Sequence, residues 1–165
     1  MTKENKLLLT LSIACAIALA VMVIALCMTG GAEQKPFESP PFDTNAVEGE
    51  PSVSQTLGYS VLYQDGMSFK VGICGNVNIK GSTADVYFTN VSENALWLKL
   101  RVLDSKGDII GESGLIKPGE YLKSVELNSS VKADERVTLK IMSYEPDTYY
   151  SLGAITLTPA LTIEQ

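Results

Sequence analysis

From Leu7 to Met28 the chain reads LLLTLSIACAIALAVMVIALCM, 22 residues without a charge, a glycine or a proline. At 1.5 Å per residue such a run spans about 33 Å as a helix, enough for a hydrocarbon core of about 30 Å. Its Ala and Leu content favours helix, so the sequence predicts a transmembrane helix over residues 7–28. Lys3 and Lys6 precede the run against a single Glu4. Glu33, Glu38, Asp43, Glu48 and Glu50 follow it against Lys35. Basic flanks stay on the cytoplasmic side, so residues 1–6 are expected as a cytoplasmic tip, with the rest of the chain outside the cell membrane. A cleaved signal peptide has an apolar stretch of only about 7–15 residues. Retention as a signal-anchor is therefore expected, although Gly30 and Ala32 would suit the small-residue positions of a cleavage site. Ser12, Ala16 and Ala20 form a small-xxx-small stripe through which two such helices can approach closely. It is the candidate site for a homo-oligomer.

Residues 29–55, TGGAEQKPFESPPFDTNAVEGEPSVSQ, combine Gly-Gly with Pro36, Pro40, Pro41, Pro51 and five acids. With so little to bury, this segment is expected to be a flexible linker with polyproline character. Phe37 and Phe42 flank the Pro-Pro pair and form a candidate docking motif.

Beyond Leu57 the apolar period changes to two. Ala84, Val86 and Phe88 alternate with polar neighbours, as do Leu96, Leu98, Leu100 and Val102, and Val137, Leu139 and Ile141, the pattern of half-buried strands. Shorter strands are expected at Tyr59–Tyr63, Ser68–Ile73, Val77–Lys80, Asp108–Gly111, Tyr121–Leu127 and Ala154–Thr158. Turn residues separate them: Asp65-Gly66 as a tight hairpin, Asp104-Ser105-Lys106-Gly107, and Pro118-Gly119. Residues 56–165 are therefore expected to be all-β, an antiparallel sandwich of immunoglobulin-like type.

Charge and residue usage exclude whole classes of function. Thirteen basic residues against nineteen acidic ones, a net charge of −6, argue against nucleic acid as a partner. The chain has no histidine, which removes the usual general base, the usual zinc ligand and any Ser-His or Cys-His pair. Of three cysteines, Cys15 and Cys27 lie in the apolar run and only Cys74 falls in the β-region, so no disulfide framework is expected there. Asp104 and Asp108 are too few oxygen ligands for a calcium loop and read as turn residues. Lys123 and Ser124 are strand neighbours on opposite faces and cannot act as a catalytic pair. No catalytic residue, cofactor or metal site is expected.

The alternation places Trp97, Lys99 and Arg101 together on the outward face of one strand. Trp and Arg are enriched where proteins meet, so these three are the candidate contact for a partner. Tyr149-Tyr150, near Tyr144, is a second aromatic cluster, and Asn90-Val91-Ser92 and Asn128-Ser129-Ser130 have the form of glycosylation sequons.

The stretch from Val86 to Leu127, VYFTNVSENALWLKLRVLDSKGDIIGESGLIKPGEYLKSVEL, carries Asn90, Asp104, Gly107, Pro118, Gly119 and Glu120 between its strands. It resembles the core of membrane-anchored Ig-like domains of Gram-positive bacterial surface proteins, where a strand, Asn, strand, D-x-x-G, strand, PGE, strand order recurs. The resemblance covers 42 of 165 residues. It implies the fold and a bacterial cell-envelope location, and it carries no catalytic residue. The expected function is a non-enzymatic accessory or adhesion module, extracytoplasmic and membrane-anchored, that binds another envelope protein. The alternative is a self-assembling, pilin-like surface subunit, although the acidic residue typical of a type IV pilin helix is missing here.

Overall fold

The computed structural model describes residues 3–28, 37–63, 66–132 and 135–164, with side chains of the N-terminal helix described at 3–5, 9 and 11–24. Two compact units divide the chain, Met1–Glu38 and Ser39–Gln165.

The first unit is one helix, α1 (Lys3–Met28), 26 residues long. Leu11, Ile13, Ile17, Leu19, Val21, Met22, Val23 and Ile24 are all more than half exposed, so apolar side chains surround its axis. Among the described residues no helix is long and apolar enough to cross a membrane. The expected span of residues 7–28 includes positions outside the described side chains. The Ser12 hydroxyl donates to the Leu9 carbonyl one turn back (2.9 Å) and so is spent inside the helix.

The second unit is all-β. Its strands are β1 (Val47–Glu48), β2 (Tyr59–Leu62), β3 (Val71–Cys74), β4 (Asn76–Lys80), β5 (Thr83–Asn90), β6 (Trp97–Leu103), β7 (Ile109–Glu112), β8 (Glu120–Glu126), β9 (Thr138–Tyr144), β10 (Ser151–Leu157) and β11 (Ala160–Glu164). A seven-stranded sheet runs β1-β8-β5-β3-β2, with β4 also on β5 and β11 on β4. A four-stranded sheet runs β10-β9-β6-β7. All named pairs are antiparallel except β11, which lies parallel to β4.

The inward residues of the alternating runs meet between the sheets. Val71, Ile73, Val77, Ile79, Ala84, Val86, Phe88, Leu122 and Val125 come from the larger sheet, and Leu98, Leu100, Val102, Ile110, Leu139 and Ile141 from the smaller. All belong to one buried cluster. Burying such side chains supplies roughly 1.5–3 kcal/mol each before entropy is counted, and no disulfide contributes, since Cys74 is a free, buried thiol.

Three local expectations change. Asp65 lies outside the described residues, but Leu62 pairs with Val71, so these two strands are not joined by a two-residue hairpin turn. The C-terminal strand β11 was not anticipated; its Leu161 and Ile163 pack against the core. The third change concerns the expected linker, residues 29–36 of which lie outside the described residues. From Ser39 the chain belongs to the β-unit. Phe42 bridges Leu115 in parallel fashion, and Val47 and Glu48 pair with Tyr121 and Glu120. Composition forecast flexibility because the segment buries little of its own. The edge of β8 and the backbone around Gly114 supply the missing partners.

Candidate functional site

The outer face of the small sheet carries the predicted contact residues, and the structure sorts them differently from simple alternation. β6 pairs with β9 along its whole length, Trp97 opposite Tyr144, Lys99 opposite Met142 and Arg101 opposite Lys140. All three predicted residues do lie on the outer face. Lys99 is nonetheless buried, at 7% exposure, so it is not an outward contact. Its ammonium still reaches a polar partner, as long cationic side chains allow. Lys99 Nζ and Arg101 Nε both lie 3.1 Å from the same oxygen of Glu112 on β7. Desolvation pushes the Glu112 carboxyl up, but the hydrogen bonds and positive charges of Lys99 and Arg101 outweigh it and hold the carboxyl below its usual range. The Lys99–Glu112–Arg101 triad therefore fixes β6 to β7, and Arg101 alone of the two cations remains part-exposed.

Trp97 sits in an aromatic row. The Phe42 ring meets it edge-on at 4.8 Å between centroids. The Tyr149 ring lies on another side at 5.1 Å, and Lys117 Nζ stands 4.8 Å from the centre of the Phe42 ring. Edge-to-face pairs and a cation over a ring face are each favourable geometries. Phe42 is held there by its successor. The Asp43 carboxylate accepts the Gly114 N–H (2.8 Å) and the Asn45 N–H (2.9 Å), while Asp43 N donates to the Leu115 carbonyl and Leu115 N to that of Pro41, both at 2.9 Å. A Cβ on Gly114 would come within 2.5 Å of Asp43 N, so only glycine lets the strap lie this close. Tyr149 owes its position to a loop between β9 and β10 in which Asp147 (φ 71°) and Tyr149 (φ 58°) are both left-handed. Phe42 and Trp97 had each been singled out by sequence, but only the fold brings them together.

The motif residues around Val86–Leu127 serve the frame. Asn90 is fully buried. Its amide donates to the carbonyls of Leu96 (2.8 Å) and Ile116 (3.0 Å), and its oxygen accepts from Asn94 (2.7 Å). The Asn94 amide in turn donates to the Lys70 carbonyl and its oxygen accepts the Lys70 N–H. Asn90 cannot serve as a glycosylation acceptor in the folded chain, whereas Asn128 is exposed. The Asp104 carboxylate accepts the N–H groups of Lys106 and Asp108 (2.8 and 2.9 Å), which makes it a turn residue as expected. Glu120 accepts the Lys117 N–H at 2.7 Å across Pro118-Gly119.

Two hollows flank these features. One of about 480 Å³ is lined by Glu48, Glu50, Tyr59, Lys70, Thr89 and Glu93 among others. The Tyr59 hydroxyl beside it donates to Thr89 Oγ1 (2.9 Å), and burial raises its pKa above the usual value, a shift that the hydrogen bond partly offsets. The other, of about 500 Å³, lies against Arg101, Glu112, Glu126 and Leu127. Burial, with a smaller contribution from Asp85, pushes the Cys74 thiol up to about 11, which leaves it protonated and unreactive at neutral pH. Among the described residues no group of three His, Cys, Asp or Glu side chains is placed to hold a metal ion. Comparison with known proteins found no matching family model, no matching curated protein and no matching solved structure.

Proposed function

We propose that this chain is a single-pass, membrane-anchored surface module of a bacterial envelope, with its N-terminus cytoplasmic and an Ig-like β-sandwich outside, and that it binds another envelope protein without catalysing a reaction. The observation that carries the reading is α1 itself. A helix with apolar side chains around its whole circumference has no polar face to present to water and belongs in a protein interior or a bilayer. The uncharged run of 22 residues meets the length a bilayer requires, and the basic-before, acidic-after flanks set its direction. The resemblance of residues 86–127 to anchored surface domains agrees with the same placement.

The partner contact is assigned to the aromatic row of Phe42, Trp97 and Tyr149, with Lys117 and Arg101 at its rim. Aromatic and arginine side chains on a rigid sheet lose little entropy when a partner covers them.

Membrane insertion is tested by alkaline carbonate extraction of membranes from cells making the full chain. A single cysteine at Ser39 or Thr2, in a chain free of Cys15 and Cys27, reports orientation through an impermeant maleimide. Ser39→Cys should label from outside, and Thr2→Cys only after permeabilisation. Extraction into the soluble fraction, or the opposite labelling, would overturn the anchored reading. For the partner, crosslinking in native membranes followed by mass spectrometry should return one recurrent envelope protein, and Trp97→Ala should lose it.

A further inference from the structure

The smaller sheet ends on β10, which pairs with β9 and, among the described residues, has no strand beyond it in the order β10-β9-β6-β7. Exposed edges of this kind offer unpaired N–H and C=O groups, and proteins usually blunt them with charges, prolines, bulges or short length. The other edges here follow that rule. β1 is two residues long and contains Glu48, β2 is four residues long, β7 follows Asp108 and ends in Glu112, and β11 ends in Glu164. β10 is different. From Thr148 to Ile163 there is no charged residue, a run of 16 in a chain that carries −6. Its register shift lies between Ser151 and Gly153, and from Gly153 to Leu157 it pairs with β9 residue for residue. Tyr150 and Leu152, at its start, are 70% and 47% exposed.

We infer that β10 is a self-pairing edge: two copies of this chain join antiparallel through Gly153–Leu157, about a two-fold axis at Ile155, to continue the four-stranded sheet into its partner's. A second copy is the occupant for reasons of charge and symmetry. Two acidic molecules repel through most of their faces, and the uncharged run lets them meet without opposing like charges. A two-fold contact is self-complementary, and centring it on Ile155 sets Ala154 opposite the partner's Thr156 and Gly153 opposite the partner's Leu157. The outer-face pair is thus formed by two small side chains. That centre also places the exposed Leu152 opposite the partner's Thr158, which covers part of the open apolar surface. A five-residue ladder buries less than a standard stable dimer interface, so the pairing is weak between free molecules. Confinement to one membrane raises the effective concentration and populates it. Its strength, but not its geometry, rests on the anchored reading.

The test uses the full chain in liposomes, with Cys15 and Cys27 replaced by serine and the buried Cys74 retained. Ala154→Cys and Thr156→Cys are prepared separately and mixed. Cβ atoms directly opposite in an antiparallel pair lie within reach of a disulfide, and diagonal ones do not. The mixture should therefore crosslink about ten-fold faster than either variant alone. Equal rates in all three samples, or no crosslinking above background, would overturn the inference. The unsubstituted chain supplies a second readout that no variant can spoil. Amide exchange in Gly153–Leu157 should slow as the protein-to-lipid ratio rises, and exchange independent of that ratio counts against the pairing. If the chain fails to float with liposomes, the anchored reading falls. The same mixed-cysteine contrast in concentrated detergent solution then decides the pairing by itself.

Discussion

Replacing Asn90 by alanine should be among the most damaging single polar changes in the β-unit. The side chain is fully buried and holds three segments at once through the Leu96 carbonyl (2.8 Å), the Ile116 carbonyl (3.0 Å) and the Asn94 amide (2.7 Å). The consequences differ by partner. The Ile116 carbonyl keeps the Leu98 N–H (3.1 Å), and the Asn94 amide keeps the Lys70 carbonyl (2.6 Å). The half-buried Leu96 carbonyl loses its side-chain donor. Two neutral hydrogen bonds at about 1 kcal/mol each, plus a stranded carbonyl at about 1–3 kcal/mol, give an expected loss of about 3–5 kcal/mol. For a unit of this size that is a fall in Tm of roughly 10–15 °C. Urea unfolding followed by the fluorescence of the single tryptophan, with the full chain in mild detergent, reads it directly. Asn90→Asp preserves shape but cannot donate, so it should lose at least as much, while exposed Asn128→Ala should stay within about 0.5 kcal/mol of the parent. An Asn90→Ala midpoint within that same margin would refute the argument that this amide joins the strands, and with it the physical reading of the Asn in the strand-Asn-strand pattern.

Gly114→Ala should lift the Pro41–Val47 strap, because the added Cβ meets backbone atoms of Asp43 and Phe42 at 2.5–2.8 Å; a red shift of Trp97 emission would report loss of the Phe42 contact, and an unchanged spectrum would contradict it. Glu112→Ala should cost about 1–3 kcal/mol at neutral pH by leaving the buried Lys99 without its half-exposed partner, whereas Glu112→Ala combined with Lys99→Met should recover most of that loss; equal stabilities of the single and double variants would sink this account. Because the Glu112 carboxyl titrates below its usual range, its contribution is complete above about pH 4.5 and is lost as pH falls through the lower folded-state value. Acid titration of the parent against Glu112→Gln should show that difference only on the acid side. The Cys74 thiol, raised from 9.0 to about 11 by burial, works in the other direction: the unfolded chain ionises first, so stability should fall by about 1.4 kcal/mol per unit between roughly pH 9 and pH 11. Cys74→Ala should flatten that slope, and an identical alkaline profile in the variant would refute it.

Much of the architecture can be read from periodicity. The alternation at Ala84–Phe88, Leu96–Val102 and Val137–Ile141 marks the central strands because a buried sheet face forces a period of two. Asp104-x-x-Gly107 and Pro118-Gly119 mark turns because their backbones need local caps and a positive φ. β11 carries no legible signal because a five-residue strand on an edge leaves only two partly buried positions, too few for a pattern. Lys99 lies on the predicted face yet is buried, because alternation assigns a face, whereas burial depends on what covers that face.

What the chain determines by itself is local: an uncharged apolar run of 22 residues near the N-terminus, an uncharged stretch near the C-terminus, and a β-region whose inward residues must meet in a core. Only the tertiary structure decided that an acidic, proline-rich segment becomes a strap, that Phe42 and Tyr149 close on Trp97, that one glutamate holds two cations, and that the uncharged stretch includes an open edge. The physical reason is distance along the chain. Period, length and turn chemistry act over a few residues and are written in the local sequence. The partners of Phe42, Lys99, Asn90 and β10 are set by strand order and register, which bring together residues that no local pattern connects.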